Sequence, residues 1–284
     1  MPLVSINPST GKEIQSYPEL SEIEVKNILE DASDAQSNWG SANIDFRLNC
    51  VDEMVGVLND GKKEFSHLIS NEMGKPVAQA HGEIEKCIWL CNYYLENAKD
   101  FLADKQIKTN THNSIITLQP IGLVLGIMPW NFPFWQVYRY AIPTILAGNG
   151  AILKHASNVQ GCANAIQSCF KDAGFPENIF KNISISGKNV NNIIRDPRIA
   201  AVTITGSTPV GRSVAKIAGE HLKKTVLELG GSDPYLILED ADLDKAVDAC
   251  INGRILNAGQ SCISAKRIIV IKKRYSNFLD KLQK

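Results

Sequence analysis

The sequence predicts an α/β fold, a mainly parallel sheet covered by helices on both faces. Three observations predict it. From Gly122 onward, short apolar or β-branched runs (VLGIM, AILK, NISIS, AAVTIT, TVLEL, PYLIL) alternate with segments of helical period. Glycines stand where those helices should stop, at Gly148 and Gly174. The residues that break the apolar pattern gather just after the strands, as PWNFP, KHAS, TGSTPVG and ELGG. In open parallel sheets ligands bind beyond the carboxyl ends of the strands, so four such ends suggest one site.

The elements follow in order. The first part reads as helical: Ser21 and Glu24 form a capping box before EVKNILEDASDAQ. A second helix is expected through FRLNCVDEMVGVLND and a third through HLISNEMG, stopped by Gly74 and Pro76. A long fourth helix should run from about Val77 to Leu102, burying Ile84, Ile88 and Leu95. Alternation between Lys105 and Pro120 suggests an extended hairpin. VLGIM opens the sheet, and PFWQVYRYAIPTILAG, VQGCANAIQSCFKDAG and VGRSVAKIAGEHL are its helices. RIIVI is a further strand that should be buried. Residues 1–230 are read as one domain with N-terminal helices and a bridging hairpin near 105–120, and residues 231–284 as the start of a second.

Composition narrows the function. Lys plus Arg and Asp plus Glu number 30 each, so no net field draws nucleic acid or a membrane surface. No apolar run approaches the ~18 residues that span a bilayer, and the N-terminus lacks the pattern of a signal peptide. Seven scattered cysteines without a C-x-x-C pair argue against a disulfide framework and a zinc site, and for a reducing cytoplasm. No metal is expected.

Each strand end offers chemistry beside a plainer explanation. TGSTPVG puts Gly206 and Ser207 at a helix start, where backbone N–H groups suit a phosphate; a tight strand-to-helix turn explains the same residues. Lys154 could bind ribose hydroxyls or a phosphate, or simply be solvated. Asn131, bracketed by prolines, could donate to a developing oxyanion or make an Asx turn. Glu228 precedes two glycines and could activate water if desolvated. Cys262, in NAGQSCISAKR, is a candidate nucleophile or one cysteine among seven. A nucleophile, an oxyanion donor, a base and a nucleotide turn together suit covalent oxidation of a carbonyl.

PWNFP, the Lys154 strand end, TGSTPVG, ELGG and GQSC stand in the order and spacing that resemble the aldehyde dehydrogenase superfamily, and the resemblance runs from INPSTGKEI across essentially the whole chain. It implies a Rossmann-like domain binding NAD or NADP and a small-molecule aldehyde as substrate. It makes Cys262 the nucleophile, Asn131 the oxyanion donor and Glu228 the base. Gly206 and Ser207 would face the pyrophosphate, Lys154 and Ser157 the adenosine ribose, and Trp130 and Leu229 would lie along the cofactor. Helical spacing puts Phe132, Trp135, Gln136 and Arg139 on one face; in this family that face lines the substrate tunnel. KHASN, ELGGSDP and Arg139 resemble the bacterial succinate-semialdehyde branch, in which Arg139 would bind a distal carboxylate.

Two positions depart from common family patterns. Ser157 stands where a ribose-binding glutamate is frequent, which leaves NADP permitted. Ser264 stands where some relatives carry a second cysteine, so no disulfide switch is expected at the site. Complete members are longer and homo-oligomeric, so the resemblance implies a C-terminally truncated catalytic domain. Three expectations follow from it: a piece of an active dehydrogenase, one half of a split enzyme, or a module that keeps only nucleotide binding.

Overall fold

The computed structural model describes residues 2–283, which divide into two compact units, Met1–Glu228 and Leu229–Lys284. The first unit opens with a hairpin, β1 (Leu3–Ile6) and β2 (Glu13–Tyr17), where helix was expected. Its turn is made by Asn7, whose side chain accepts from the N–H groups of Ser9 and Thr10, and by Gly11 at φ +70°. Local turn chemistry thus overrides the helical reading. Helix α1 (Glu22–Gly40) begins at the expected capping box: Glu24 N–H donates to Ser21 Oγ and Ser21 N–H to Glu24 Oε2.

The two helices expected next are one, α2 (Ile44–Met73). Gly61 lies inside it, under the Phe65 ring, and packing against α3 (Val77–Leu102) outweighs the ~1 kcal/mol a mid-helix glycine costs. Gly74 ends α2 at φ +86°. The hairpin that follows is reduced to β3 (Lys105–Gln106) and β4 (Ile115–Ile116).

The sheet then builds as β5 (Leu123–Met128), α4 (Trp135–Leu146), β6 (Gly150–His155), α5 (Gln160–Asp172), β7 (Phe180–Asn182), α6 (Val190–Arg195), β8 (Ile199–Thr205), α7 (Thr208–Glu220) and β9 (Lys224–Glu228). The third strand starts earlier than NISIS suggests. Strand order is β7-β6-β5-β8-β9, and every pairing is parallel. The chain moves outward one way through β6 and β7, then crosses β5 to build β8 and β9. The ends of β5 and β8 therefore flank a topological switch point, where such sheets bind ligands.

Strand alternation sends side chains into two cores. Leu123, Leu125, Ile127 and Ile152 join α1, α6 and α7 on one face. Met128, Ala151 and Leu153 join α2, α3, α4 and α5 on the other. At the edge, β9 is exposed throughout, with Val226 at 58% and Leu227 at 39%.

In the second unit, β10 (Pro234–Ile237) pairs in parallel with β11 (Arg267–Val270) through the crossover helix α8 (Leu243–Ile255), and α9 (Tyr275–Leu282) follows. PYLIL therefore lies outside the five-stranded sheet. The core is small: Ile237, Leu243, Val247, Cys250 and Phe278. The strand RIIV exposes Ile268 and Ile269, in line with a strand that has lost partners.

Candidate active site

The loop PWNFP leaves β5 at the switch point and enters α4. Two buried groups shape it. Glu83, on the apolar stripe of α3, accepts the N–H groups of Phe134 at 2.8 Å and Trp135 at 2.9 Å, and pairs with the Lys75 ammonium. Both side chains of that pair are almost wholly buried, and Lys75 also lies 4.4 Å over the Phe132 ring. Burial pulls the Lys75 pKa down against the raising influence of Glu83.

The second group is His155, the last residue of β6 and wholly buried. Its Nε2 is 2.9 Å from the Pro133 carbonyl; its Nδ1 lies 3.2 Å from the Met128 carbonyl and 2.9 Å from the Ala156 N–H, which can only donate, so Nδ1 accepts. With Nδ1 occupied as acceptor, the proton belongs on Nε2, which donates to Pro133. Desolvation drives the pKa of this imidazole down to about 4. Asn131 lies half-buried in the loop so held, and Trp130 is exposed at its rim.

The sequence reading named the loop and left both supports out. The signals existed: a glutamate on a helix face otherwise apolar, and a histidine directly after a buried strand.

A cavity of about 300 Å³ opens beside α4 and is lined by Gln136, Arg139, Tyr140, Thr203, Thr205 and Glu228. Arg139 Nη2 is 3.6 Å from Glu228 Oε2, and Thr205 Oγ1 donates to Gln136 Oε1 at 3.4 Å. Both charged side chains stay partly exposed, at 38% and 53%, so the pair is a weak, exchangeable contact. The helix starts at Trp135, so Phe132 precedes it. Gln136 and Arg139 face the cavity, whereas Phe132 and Trp135 lie under lysine ammoniums, Trp135 4.1 Å from Lys86 Nζ.

Lys154 lies one residue before His155 and so on the opposite sheet face, with α1, α6 and α7. It is 8% exposed, makes no ion pair among the described residues, and burial lowers its pKa. Ser207 caps α7 by position but its side chain makes no capping hydrogen bond. A Cβ at Gly206 would meet nothing nearer than 3.8 Å, so this turn is open to an approaching group. Ser157 is exposed at the start of a short 3₁₀ turn after β6. A desolvated cation with no acidic partner and a free helix start fit the phosphates and ribose of a dinucleotide.

In the second unit, Cys262 is the exposed cysteine; the other six are buried. Asn257, Ala258 and Gly259, just before it, all have left-handed φ of 53–76°. Arg254 Nη1 and the Asn257 amide donate to the Gly259 and Gln260 carbonyls, bracing this turn. Leu229 is half-buried, and Ser264 donates to the Gly253 carbonyl at 2.8 Å. Among the described residues no cluster of three metal-ligating side chains forms, and no helix is long and apolar enough to cross a membrane.

The model of the aldehyde dehydrogenase family matches residues 2–284. The chain belongs to the aldehyde dehydrogenase family. Among curated relatives of this dehydrogenase family, a Synechocystis protein named "Probable succinate-semialdehyde dehydrogenase", NADP(+), is 43% identical over 284 residues; the match covers 100% of this chain and 63% of that protein. The Escherichia coli succinate semialdehyde dehydrogenase, NAD(P)+, is 42% identical, with 98% and 60% covered. A crystal structure of succinic semialdehyde dehydrogenase from Streptococcus pyogenes in complex with NADP+ matches with a TM-score of 0.96 at 32% identity, covering 99% of this chain and 62% of that one. The chain thus spans about three-fifths of the length of these relatives.

Proposed function

We propose that the protein oxidises an aldehyde bearing a distal carboxylate, succinate semialdehyde, to the acid with NAD(P)+. The observation that carries this reading is Arg139, a guanidinium on the wall of the cavity beside α4, paired with a partly exposed carboxylate that a substrate carboxylate can replace. The names of the Synechocystis and Escherichia coli relatives support the same substrate.

The roles follow from the chemistry of each group. The Cys262 thiolate adds to the aldehyde carbon, forming a thiohemiacetal whose oxyanion the Asn131 amide N–H and the Cys262 backbone N–H stabilise. NAD(P)+, when bound, supplies the hydride acceptor that turns this adduct into a thioester. Glu228 takes a proton from the water that attacks the thioester carbon, and the sulfur leaves as thiolate. Lys154, Ser157, Gly206 and Ser207 bind the dinucleotide through its ribose and phosphates, with Trp130 and Leu229 along it. Phe132 and Trp135 belong to the substrate side only through their place beside Asn131; Gln136 and Arg139 orient the aldehyde.

Arg139→Ala should raise KM for succinate semialdehyde at least about tenfold more than for an uncharged aldehyde of similar length, as expected for losing one charge-assisted pair. Steady-state formation of NAD(P)H measures both. Equal losses for the two aldehydes would refute the assignment of Arg139.

A further inference from the structure

We propose that His155 is a positioning residue for the oxyanion donor, acting through the Pro133 carbonyl to hold the loop that carries Asn131. The inference rests on the oxyanion role assigned to Asn131 above.

The geometry has three parts. His155 ends β6, where it pairs in register with Met128 at the end of β5, the strand from which the loop departs. Its imidazole lies beneath that loop: Nε2–H donates to Pro133 O at 2.9 Å, two residues beyond Asn131. The ring cannot turn, because Ala156 N–H donates to Nδ1 at 2.9 Å and the side chain is 0% exposed.

The far end of the loop is fixed separately by Glu83, at the N–H groups of Phe134 and Trp135. With Met128 in the strand and Phe134 clamped, Pro133 is the one loop carbonyl with a side-chain donor among the hydrogen bonds described. Removing that donor leaves a buried carbonyl unsatisfied and lets the peptide planes on either side of Pro133 rotate. An oxyanion donor must sit within a fraction of an ångström of its productive position, so small rotations there cost rate.

The test is a double-mutant cycle on aldehyde oxidation by the protein. His155→Phe removes the donor, His155→Gln keeps an N–H on the side chain, and Asn131→Ala removes the oxyanion donor. The expected result is a fall in kcat of about 10- to 100-fold for His155→Phe, within the loss of about 100- to 1000-fold expected for Asn131→Ala. KM and the dissociation constant of NADP+, read by fluorescence quenching, should stay unchanged. His155→Gln should recover most of kcat. In the Asn131→Ala background, His155→Phe should cost less than about twofold, because a positioning residue has nothing left to position.

A fall of kcat in His155→Phe that is the same with and without Asn131 overturns the proposal. A drop in Asn131→Ala with none in His155→Phe also overturns it and leaves the oxyanion role standing. An unaffected Asn131→Ala overturns the oxyanion role, and this proposal with it. Where His155→Phe folds poorly, His155→Leu replaces it, with kcat referred to the folded fraction from circular dichroism.

Discussion

His155 illustrates how burial decides chemistry at single residues. Its imidazole is wholly buried, so protonation would strand a desolvated charge beside Lys154, and the Pro133 and Met128 carbonyls near the ring nitrogens offset only part of that cost. Its pKa falls from 6.5 to about 4. Above pH 6.5 the folded and unfolded chains both hold it neutral, and its contribution is fully present. As pH falls from 6.5 towards 4 the unfolded chain takes up a proton that the folded one refuses, so stability drops by about 3 kcal/mol. Urea denaturation of His155→Gln should therefore show a flatter loss across that window than the parent protein; parallel curves would contradict the neutral state. Glu83 is the complementary case, a carboxylate that neutralises buried Lys75 and receives two N–H groups. Glu83→Ala leaves that ammonium unpaired and should cost about 3–5 kcal/mol in the same experiment. Local pattern could mark each residue as unusual but not say what it holds, because each acts on a loop more than twenty residues away.

The element that carries the site, β5, was legible for the opposite reason: its pattern is local. VLGIM reads as a buried strand because its apolar side chains fill both sheet faces, and its neighbours β6 and β8 were equally visible. What the strand needed beyond apolarity is Gly126. A Cβ there would fall 2.2 Å from the Tyr140 ring, which is itself buried and donates its hydroxyl to the Ile152 carbonyl. Gly126→Ala should lower stability by about 1–3 kcal/mol through overpacking, measured as a shift in Tm. A neutral substitution would mean that α4 can move off the sheet, and with it Arg139. Helix α2 was misread as two because Gly61, Lys62 and Lys63 interrupt its apolar stripe; the long face of α3 supplies the packing that local propensity lacks.

Over the whole molecule, stability should be unevenly distributed. The first unit has two extensive cores, one on each face of its sheet, whereas the second rests on a single cluster of five buried apolar residues and exposes Leu236, Ile268 and Ile269. Amide hydrogen exchange should accordingly be faster in β10 and β11 than in β5 and β6 by orders of magnitude, since each 1.4 kcal/mol of local stability is about tenfold in exchange. Comparable protection would contradict that ranking. Cys262, the proposed nucleophile, lies in this second unit, shortly after three residues with left-handed φ. Those conformations cost on the order of 1 kcal/mol or more for Asn257 and Ala258 and persist because Arg254 and Asn257 brace the turn.

Periodicity and short motifs by themselves determined the α/β class, the parallel strands and the places where chemistry could sit, because alternation of side chains and turn residues at strand ends are written within a few residues. Tertiary structure alone decided which of those places share a wall and what holds them still. The one-residue offset between Lys154 and His155 sends one to each face of the sheet; Arg139 meets Glu228 only because β9 is laid beside β8; and the loop around Asn131 is fixed by α3 and β6. These are contacts between residues far apart in the chain, and their energies come from burial and desolvation, which exist only once the chain has folded.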